Sequence, residues 1–274
     1  MTRIVCRQLA PVLGDLDANI RLTLDAINDS VANGANLVVV PELALSGYMF
    51  ASTDEAREVA ITPAHPVFGA WSDAVREAGA VVVGGFAELG DDGLVYNSAA
   101  VVDGTGVLAV YRKIHLWDKE KLVFTPGSTP PPVVDTSVGK LGILICFDLE
   151  FPEMPRTLAL GGAELLVAPT NWPLESVPAG ERIPELTAAM AAAYSNRVGI
   201  AACDRTGLER GQDWNAASAI VNESGWIVAN VDEHGIASAD LDLTRSHDKS
   251  LSELVDMFGD RRPELYGAVT APQP

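Results

Sequence analysis

Short apolar runs alternate with longer amphipathic segments along most of the chain. The run from Ile4 to Ala10 has the length and composition of a strand. The segment from Asp15 to Ala32 predicts a helix, because Ile20, Leu24 and Ile27 recur at helical spacing and fall on one face. Such alternation of strand and helix is typical of an α/β protein.

The same two patterns continue to about residue 241. Further strands are predicted over residues 36–40, 80–86, 141–145, 164–168, 199–203 and 234–241, and further helices over 66–78, 153–160 and 184–196. Hairpins are predicted over residues 95–113 and 217–231, with Gly-containing turns. The periodicity is compatible with one sheet or two. A two-sheet sandwich covered by helices on its outer faces would satisfy it within one domain.

The most informative position is Cys146, which follows the apolar run Leu141–Ile145. Pro152 and Glu153 then predict the start of a helix, since proline and a carboxylate both suit a first helical turn. The thiol is therefore expected at the carboxyl edge of a sheet, where open α/β folds place their chemistry. A buried structural cysteine is the alternative, but the strand-to-helix turn favours a nucleophile.

Two other predicted strands also end in reactive groups, Glu42 after residues 36–40 and Lys113 after the strand from Val107. An ammonium group favours the thiolate of Cys146, and a carboxylate can accept its proton. Lys113 and the backbone N–H of Phe147 would stabilise an oxyanion after attack on an amide. Taken singly, Glu42 could be a cap and Lys113 a solvated charge. Together they favour a shared pocket.

The three candidate residues stand in three ordered blocks of the sequence: Pro41-Glu42-Leu43-Ala44-Leu45-Ser46-Gly47-Tyr48, Tyr111-Arg112-Lys113-Ile114-His115-Leu116 and Ile145-Cys146-Phe147-Asp148-Leu149-Glu150-Phe151-Pro152-Glu153. These blocks resemble the signature blocks of the nitrilase superfamily of carbon–nitrogen hydrolases. The resemblance implies a four-layer α-β-β-α sandwich and a Glu42-Lys113-Cys146 triad, with no metal and no organic cofactor. It also implies a homodimer or a higher homo-oligomer. We expect the hydrolase domain over residues 1–243 and a C-terminal extension over 244–274 at an oligomer interface.

The family often has a second active-site glutamate after the lysine block, and Glu120 best fits that place. The resemblance implies that it positions the substrate amide and tunes the lysine, although a solvated face of Glu and Lys residues would look the same. His115 is interpreted as structural, because the triad already contains a base. Cys6 and Cys203 are interpreted as core residues of strands.

The segment after the cysteine resembles amidases most closely, so we expect hydrolysis of a small aliphatic or aryl amide through a cysteine thioester. An N-carbamoyl amino acid or amine hydrolase and a nitrilase are alternatives, and so is an inactive scaffold, against which the intact triad argues. Carbamoyl amino acids would need a cationic clamp, for which the candidates are Arg156, Arg182, Arg197 and Arg205. The predicted substrate pocket consists of Phe147, Tyr48, Trp117, Thr170, Asn171 and Trp172, although packing would equally explain the two tryptophans.

Composition narrows the partners further. The chain has 274 residues, with 19 basic and 37 acidic ones and a formal charge of −18. So acidic a protein repels nucleic acid and anionic lipid, and neither is an expected partner. The expected partner is the small-molecule amide substrate that the resemblance implies. No apolar run approaches the roughly 20 residues that span a bilayer. Three widely spaced cysteines and the absence of a leader-like N-terminus favour a reducing cytoplasm.

Overall fold

Two six-stranded sheets lie face to face at the centre of the structure, a computed structural model that describes residues 1–271. The strands are β1 (Thr2–Arg7), β2 (Leu37–Val39), β3 (Val81–Leu89), β4 (Val95–Asp103), β5 (Gly106–Arg112), β6 (Val133–Thr136), β7 (Gly139–Ile143), β8 (Leu165–Pro169), β9 (Gly199–Cys203), β10 (Ala219–Val221), β11 (Ile227–Asn230), β12 (Ile236–Leu241), β13 (Ser250–Ser252) and β14 (Val255–Asp256). The α-helices are α1 (Leu16–Ala32), α2 (Thr53–Val59), α3 (Pro66–Arg76), α4 (Glu153–Leu160), α5 (Pro184–Asn196) and α6 (Gly267–Thr270).

The two sheets share one topological plan. Their strand orders are β12-β1-β2-β3-β4-β5 and β11-β10-β9-β8-β7-β6, and β13 pairs with β14 in a separate small sheet. In each large sheet three central strands run parallel, β1-β2-β3 in one and β7-β8-β9 in the other, and the flanking strands pair antiparallel. Parallel strands end at the same edge, so the loops that follow them are brought together.

Alternation along the strands assigns each residue to one of two cores. In β1, Ile4 and Cys6 belong to the core between the sheets, whereas Val5 packs with the helices α1 and α3. Phe68 and Trp71 of α3 fill that outer core, with their rings in edge contact at 5.6 Å. The successive layers are therefore helix, sheet, sheet and helix, with α4 and α5 on the outer face of the second sheet.

The predicted four-layer α-β-β-α sandwich is thus confirmed, and the choice between one sheet and two is decided. The prediction of a helix at 184–196 and of a strand at 199–203 agrees with α5 and β9 to the residue. The pattern of apolar positions does not predict α2 and β6. Both are short: α2 has 7 residues and β6 has 4. So short an element shows little periodicity, and α2 is stabilised by its Ser52 cap.

The residues after β12 fold back onto the second sheet's helices. Nζ of Lys249 donates hydrogen bonds to the carbonyl oxygens of Asn196 and Arg197 at 3.0 and 3.1 Å. The guanidinium group of Arg156 on α4 lies 5.0 Å from the ring centre of Phe258. Residues 272–274 of the predicted C-terminal extension lie outside the described part of the chain. Within the described residues, no helix combines the length and the apolarity that crossing a bilayer requires.

Candidate active site

Three segments that follow strand ends meet at one buried point. Glu42 lies three residues after β2, Lys113 directly follows β5, and Cys146 lies three residues after β7. The side chains of Glu42 and Lys113 have no exposed surface, and Cys146 keeps 4% of its surface exposed. The structure therefore brings together the three residues that the sequence analysis selected.

Lys113 lies between two carboxylates. Its Nζ is 2.7 Å from Oε1 of Glu42 and 2.8 Å from Oε1 of Glu120. Burial by itself lowers the pKa of an ammonium group, but the charges of Glu120 and Glu42 together raise the pKa of Lys113 well above its ordinary value. The lysine is therefore a fixed cation inside the protein. An unpaired charge at this depth would be strongly destabilising.

Glu120 joins this centre from the 3₁₀ turn Asp118–Leu122, as the sequence analysis expected. Its Oε1 also accepts a hydrogen bond from the hydroxyl group of Tyr48 at 2.5 Å, and its Oε2 accepts one from the backbone N–H of Trp117 at 3.2 Å. Both carboxylate oxygens thus have donors. This arrangement suits a group that fixes the lysine rather than one that exchanges protons.

Glu42 differs from Glu120 in having one oxygen free. Its Oε1 accepts hydrogen bonds from Lys113 and from Nδ2 of Asn97 at 2.7 Å, whereas its Oε2 is buried without a partner among the described residues. Burial raises the pKa of Glu42 to about 7, against the opposing effect of the Lys113 charge. A carboxyl group with this pKa and a free oxygen can accept and return protons near neutral pH.

The segment that carries Glu42 is pressed against β3 at Gly85. A Cβ atom at position 85 would lie 2.2 Å from the backbone nitrogen of Leu43 and 2.6 Å from the Cα of Glu42. Only glycine allows this approach. On the other side, Nδ2 of Asn171 donates a hydrogen bond at 2.9 Å to the peptide oxygen of Glu42. Backbone contacts on two sides thus hold the glutamate in place.

Cys146 occupies a strained backbone position. It begins the 3₁₀ turn Cys146–Glu150 with a φ of 47°, in the left-handed region that non-glycine residues seldom adopt. Its thiol makes one long contact, 3.9 Å to the carbonyl oxygen of Asn171. Strain of this kind is common where a nucleophile must be presented.

The groups around the thiol of Cys146 act on its pKa in opposite directions. The sequence analysis expected the ammonium group to favour the thiolate, and Lys113 does act in that direction. Burial and the charge of Glu42, with a further contribution from Glu120, outweigh it and raise the pKa of Cys146 well above its ordinary value. Two carboxylates face one ammonium group here, so the thiol rests in its neutral form.

Asp148 is a buried residue whose structural role the sequence analysis missed. Its carboxylate accepts hydrogen bonds from the hydroxyl group of Tyr111 at 2.8 Å, from the backbone N–H of His115 at 3.1 Å and from that of Ile145 at 3.1 Å. It therefore ties the lysine segment to the cysteine turn. The signal for it in the sequence is an acidic residue two positions past Cys146, between the apolar Phe147 and Leu149.

His115 contacts the same aspartate, with Nδ1 at 2.8 Å from Oδ1 of Asp148. Its ring also stacks on Phe151 at 3.7 Å. These contacts agree with the structural role predicted for His115. Cys6 and Cys203 lie in β1 and β9 with no exposed surface, which confirms that they are core residues.

The other predicted pocket residues surround the centre in different ways. Phe147 and Trp117 pack edge to face with ring centres 4.8 Å apart. Tyr48 reaches Glu120 by its hydroxyl group, and its ring packs against Trp214 at 5.3 Å. The segment after β8 contributes the remaining three residues, all buried: Thr170, Asn171 and Trp172.

Three buried polar side-chain atoms of that segment lack a hydrogen-bond partner among the described residues. Oγ1 of Thr170, Oδ1 of Asn171 and Nε1 of Trp172 have no hydrogen-bond partner among the described residues. The backbone N–H of Trp172 is held by Oδ1 of Asp204 at 2.9 Å. The segment is thus anchored by its backbone.

Three of the four arginines considered as a carboxylate clamp are engaged elsewhere. Arg205 is buried and pairs with Glu209 at 2.8 Å. Arg156 donates a hydrogen bond to the carbonyl oxygen of Ser195 at 2.8 Å. Arg197 donates hydrogen bonds to the backbone oxygen of Glu223 and to the hydroxyl group of Ser224. Arg182 is exposed, and its segment precedes α5. Within residues 1–271, no group of three or more His, Cys, Asp or Glu residues is placed to hold a metal ion.

The chain belongs to the carbon-nitrogen hydrolase family, whose model matches residues 3–248. It is similar to a nitrilase of Pyrococcus abyssi, with 35% identity over 269 residues that cover 97% of this chain and 99% of the relative. It is also similar to an N-carbamoylputrescine amidase of Arabidopsis thaliana, with 31% identity over 92% of this chain and 90% of that protein.

A solved structure extends the likeness to the fold. It is a mutant of the amidase from Nesterenkonia sp. AN1 carrying the product of Michael addition of acrylamide at its active-site cysteine. It superposes with a TM-score of 0.77 and 27% identity over 98% of this chain and 99% of its own. The predicted membership of the nitrilase superfamily is thus confirmed, and the protein is a carbon–nitrogen hydrolase.

Proposed function

We propose that this enzyme hydrolyses a small linear amide to a carboxylate and ammonia through a thioester on Cys146. The observation that carries the proposal is the buried Lys113 ammonium group held by Glu42 and Glu120 next to a cysteine on a strained turn. In this arrangement Glu42 has the only free oxygen of the two carboxylates, so it is the base, and Glu120 is the residue that fixes the lysine.

Acylation begins with a neutral thiol. As the sulfur of Cys146 attacks the amide carbon, its proton passes to Oε2 of Glu42 and a C–S bond forms. The carbonyl oxygen becomes an oxyanion, which the ammonium group of Lys113 and the backbone N–H of Phe147 stabilise. Glu42 then gives the proton to the amide nitrogen. The C–N bond breaks and ammonia leaves, so that the acyl group remains on sulfur.

Deacylation uses the same groups. Glu42 takes a proton from a water molecule, whose oxygen attacks the thioester carbon. The second oxyanion collapses, the C–S bond breaks, and the sulfur recovers the proton from Glu42. The carboxylic acid leaves and ionises in solution. Because one carboxylate serves both halves, a pKa near neutrality fits both proton transfers.

The choice of a linear amide is supported by the resemblance of the cysteine block to amidases and by the fold likeness to the Nesterenkonia amidase. Two alternatives have support from named relatives. A nitrilase and an N-carbamoylputrescine amidase each match almost the whole chain. All three activities would begin with attack by the same cysteine, so the part of the pocket away from the sulfur decides among them.

The test is ammonia release from a panel of short amides, N-carbamoyl amino acids, N-carbamoyl amines and nitriles. We expect the short amides to have the highest kcat/KM, and Cys146→Ala to abolish turnover of every substrate. A Cys203→Ala variant is the matched control, because it removes a buried thiol from the core instead. Turnover that persists in Cys146→Ala would exclude the mechanism, and preference for another substrate group would exclude the amidase assignment.

The proposal includes a homodimer or higher homo-oligomer, with the C-terminal extension from residue 244 at its interface. Several apolar side chains of this extension are exposed in the single chain, among them Leu254 at 88% and Leu265 at 68%. Sedimentation velocity of the full chain and of a Leu254→Glu, Leu265→Glu double variant would test this. A monomeric wild-type protein would contradict it.

A further inference from the structure

Tyr48 is held through its backbone by a residue 161 positions away along the chain. The backbone N–H groups of Tyr48 and Met49 both donate hydrogen bonds to Oε1 of Glu209, at 2.8 and 2.6 Å. Glu209 belongs to the loop between β9 and β10. Only 5% of Glu209 is exposed, so water competes little for these two donors. A buried carboxylate from a distant loop therefore fixes the backbone that carries the tyrosine.

The other carboxylate oxygen of Glu209 pairs with a buried cation. Nη1 of Arg205 lies 2.8 Å from Oε2 of Glu209, and only 1% of Arg205 is exposed. Nη2 of Arg205 also donates a hydrogen bond to the carbonyl oxygen of Pro11 at 3.2 Å. Both oxygens of Glu209 thus have donors, and neither charge of the pair is left unpaired in the interior.

The ring of Tyr48 has a separate support from the same loop. Trp214 packs edge to face on this ring, with ring centres 5.3 Å apart. The guanidinium carbon of Arg205 lies 4.6 Å from the ring centre of Trp214 on its own side. The loop between β9 and β10 therefore holds Tyr48 by its backbone and by its ring, and the hydroxyl group is directed to Glu120.

The backbone before Tyr48 leaves room for the carboxylate. Gly47 has a φ of 79°, in the left-handed region that favours glycine. A Cβ atom at this position would lie 3.0 Å from Oε2 of Glu209 and 2.5 Å from the Cα of Leu13. Successive N–H groups beside a left-handed residue form a concave site for an anion. The N–H groups that follow Gly47 thus form a site that Glu209 fills.

From these contacts we propose that Glu209 is a positioning residue for the reaction. Held by Arg205, it fixes the backbone of Tyr48 so that the hydroxyl group of the tyrosine meets Glu120, which in turn fixes Lys113. Among the described residues, Glu209 has no hydrogen bond to Lys113, so it acts through Tyr48. This inference deepens the amide hydrolysis proposed above and rests on it.

Glu209 has one competing role, which is to neutralise Arg205. Removing the carboxylate alone would leave a guanidinium group buried without its partner, which is strongly destabilising. The loss of activity that follows would not show how Glu209 acts. The test therefore replaces both charges at once.

Two double variants differ only in their ability to accept a hydrogen bond. The acceptor variant, Arg205→Met with Glu209→Gln, keeps an oxygen for the N–H groups of Tyr48 and Met49. The acceptor-free variant, Arg205→Met with Glu209→Leu, removes it. Both have the same net charge and similar side-chain volumes, so the electrostatic cost of burial is the same in both.

The measured quantity is kcat for ammonia release from propionamide. We expect the acceptor variant to lie within about threefold of the wild type and the acceptor-free variant to lie about tenfold below the acceptor variant. KM should change little, because the missing hydrogen bonds do not involve the substrate. Equal kcat values in the two variants overturn the inference.

The matched control is a second pair of Arg and Glu away from the site. Glu223, which is 6% exposed, lies 2.8 Å from Arg245 at the turn after β10. The same substitutions there, Arg245→Met with Glu223→Leu, should leave kcat within about twofold of the wild type. A loss in this control equal to that of the acceptor-free variant would overturn the inference.

A double-mutant cycle with Tyr48→Phe separates positioning from a general loss of structure. If Glu209 acts through the hydroxyl group of Tyr48, the difference in kcat between the acceptor variant and the acceptor-free variant should disappear once that hydroxyl group is absent. A difference that persists in the Tyr48→Phe background overturns the inference.

Glu209→Gln in the otherwise native chain provides a second cycle if the acceptor-free variant does not fold. Its side chain keeps the native size, but its amide group cannot pair with the charge of Arg205. We expect kcat to fall by about threefold with Tyr48 present and not at all in the Tyr48→Phe background. No reduction with Tyr48 present, or the same reduction in both backgrounds, overturns the inference.

Amide hydrogen exchange tests the contact without turnover. The N–H groups of Tyr48 and Met49 should exchange slowly in the wild type and about tenfold faster in Glu209→Gln. Rapid exchange of both groups in the wild type overturns the inference. If the wild type hydrolyses no amide, the proposed function fails on its own, and the exchange rates still decide whether Glu209 holds Tyr48.

Discussion

The hydroxyl group of Tyr48 donates a 2.5 Å hydrogen bond to Oε1 of Glu120. That same oxygen lies 2.8 Å from Nζ of Lys113. Lys113 in turn contacts Glu42. The hydrogen bond from Tyr48 is therefore linked, through Glu120 and Lys113, to the second carboxylate of the centre. Burial, followed by the charge of Glu120, raises the pKa of Tyr48 well above its ordinary value, which keeps the hydroxyl group a donor.

The substitution Tyr48→Phe removes this donor without removing the ring. We expect kcat to fall by about tenfold, since a hydrogen bond to a charged group contributes about 1.5–3 kcal/mol and the freed Glu120 would hold Lys113 less firmly. Steady-state kinetics of ammonia release measures the effect. Tyr194→Phe, on the exposed face of α5, is the control. A kcat equal to that of the wild type would show that the contact does not matter for turnover.

The rate of acylation should depend on the ionisation of Glu42. The base is active when deprotonated, and its pKa is raised to about 7 by burial. The rate should therefore be low at acidic pH, rise through about pH 7 and level off above it. Single-turnover measurements between about pH 5 and pH 9 follow this step directly. A rate that stays constant across that range would contradict the role of Glu42 as base.

Alkylation should distinguish the three thiols. Cys146 is slightly exposed and lies beside a carboxylate that can take its proton, whereas Cys6 and Cys203 have no exposed surface. Iodoacetamide should therefore modify Cys146 first, as peptide mass spectrometry would detect. Equal labelling of all three cysteines in the native protein would be the contrary result.

Asp148 should contribute to stability more than an ordinary aspartate. Replacement by Asn removes the charge and leaves at least one of the buried donors on Tyr111, His115 and Ile145 poorly paired. We expect a loss of about 2–3 kcal/mol in the free energy of unfolding. Denaturant unfolding measures it, with the exposed Asp91→Asn as the control. A change within the error of the control would show that the turn keeps its shape without this carboxylate.

Local patterns were sufficient for most of the elements. The apolar spacing in residues 15–32 and the Ala-rich run at 184–196 predicted α1 and α5, because helical periodicity depends only on neighbours along the chain. The positions of Glu42, Lys113 and Cys146 after apolar runs predicted a shared pocket. Helix α2 and strand β6 were not predicted. Neither has a clear periodic pattern: α2 is stabilised by its cap and β6 by pairing with β7.

Other features depend on distances between residues far apart in sequence. The hydrogen bonds of Glu42 and Glu120 depend on Asn97 and Tyr48, which lie 55 and 72 residues away from their partners along the chain. Among the described residues, Oε2 of Glu42 nevertheless keeps no partner, whereas both oxygens of Glu120 are bonded. The thiol of Cys146 is neutral for the same reason, since burial and two carboxylates outweigh one ammonium group. Burial and these charges act over distances that the folded chain sets, so the residue types alone do not predict the pKa of the thiol.

The sequence by itself determined the alternation of strands and helices and the residue types at the strand ends, because both depend on local spacing along the chain. It also determined the family, because contiguous blocks of residues carry that resemblance. Only the tertiary structure decided that there are two sheets and that Asp148 ties the lysine segment to the cysteine turn. Sheet order, burial and through-space charge set these relationships, and a linear pattern contains none of the three.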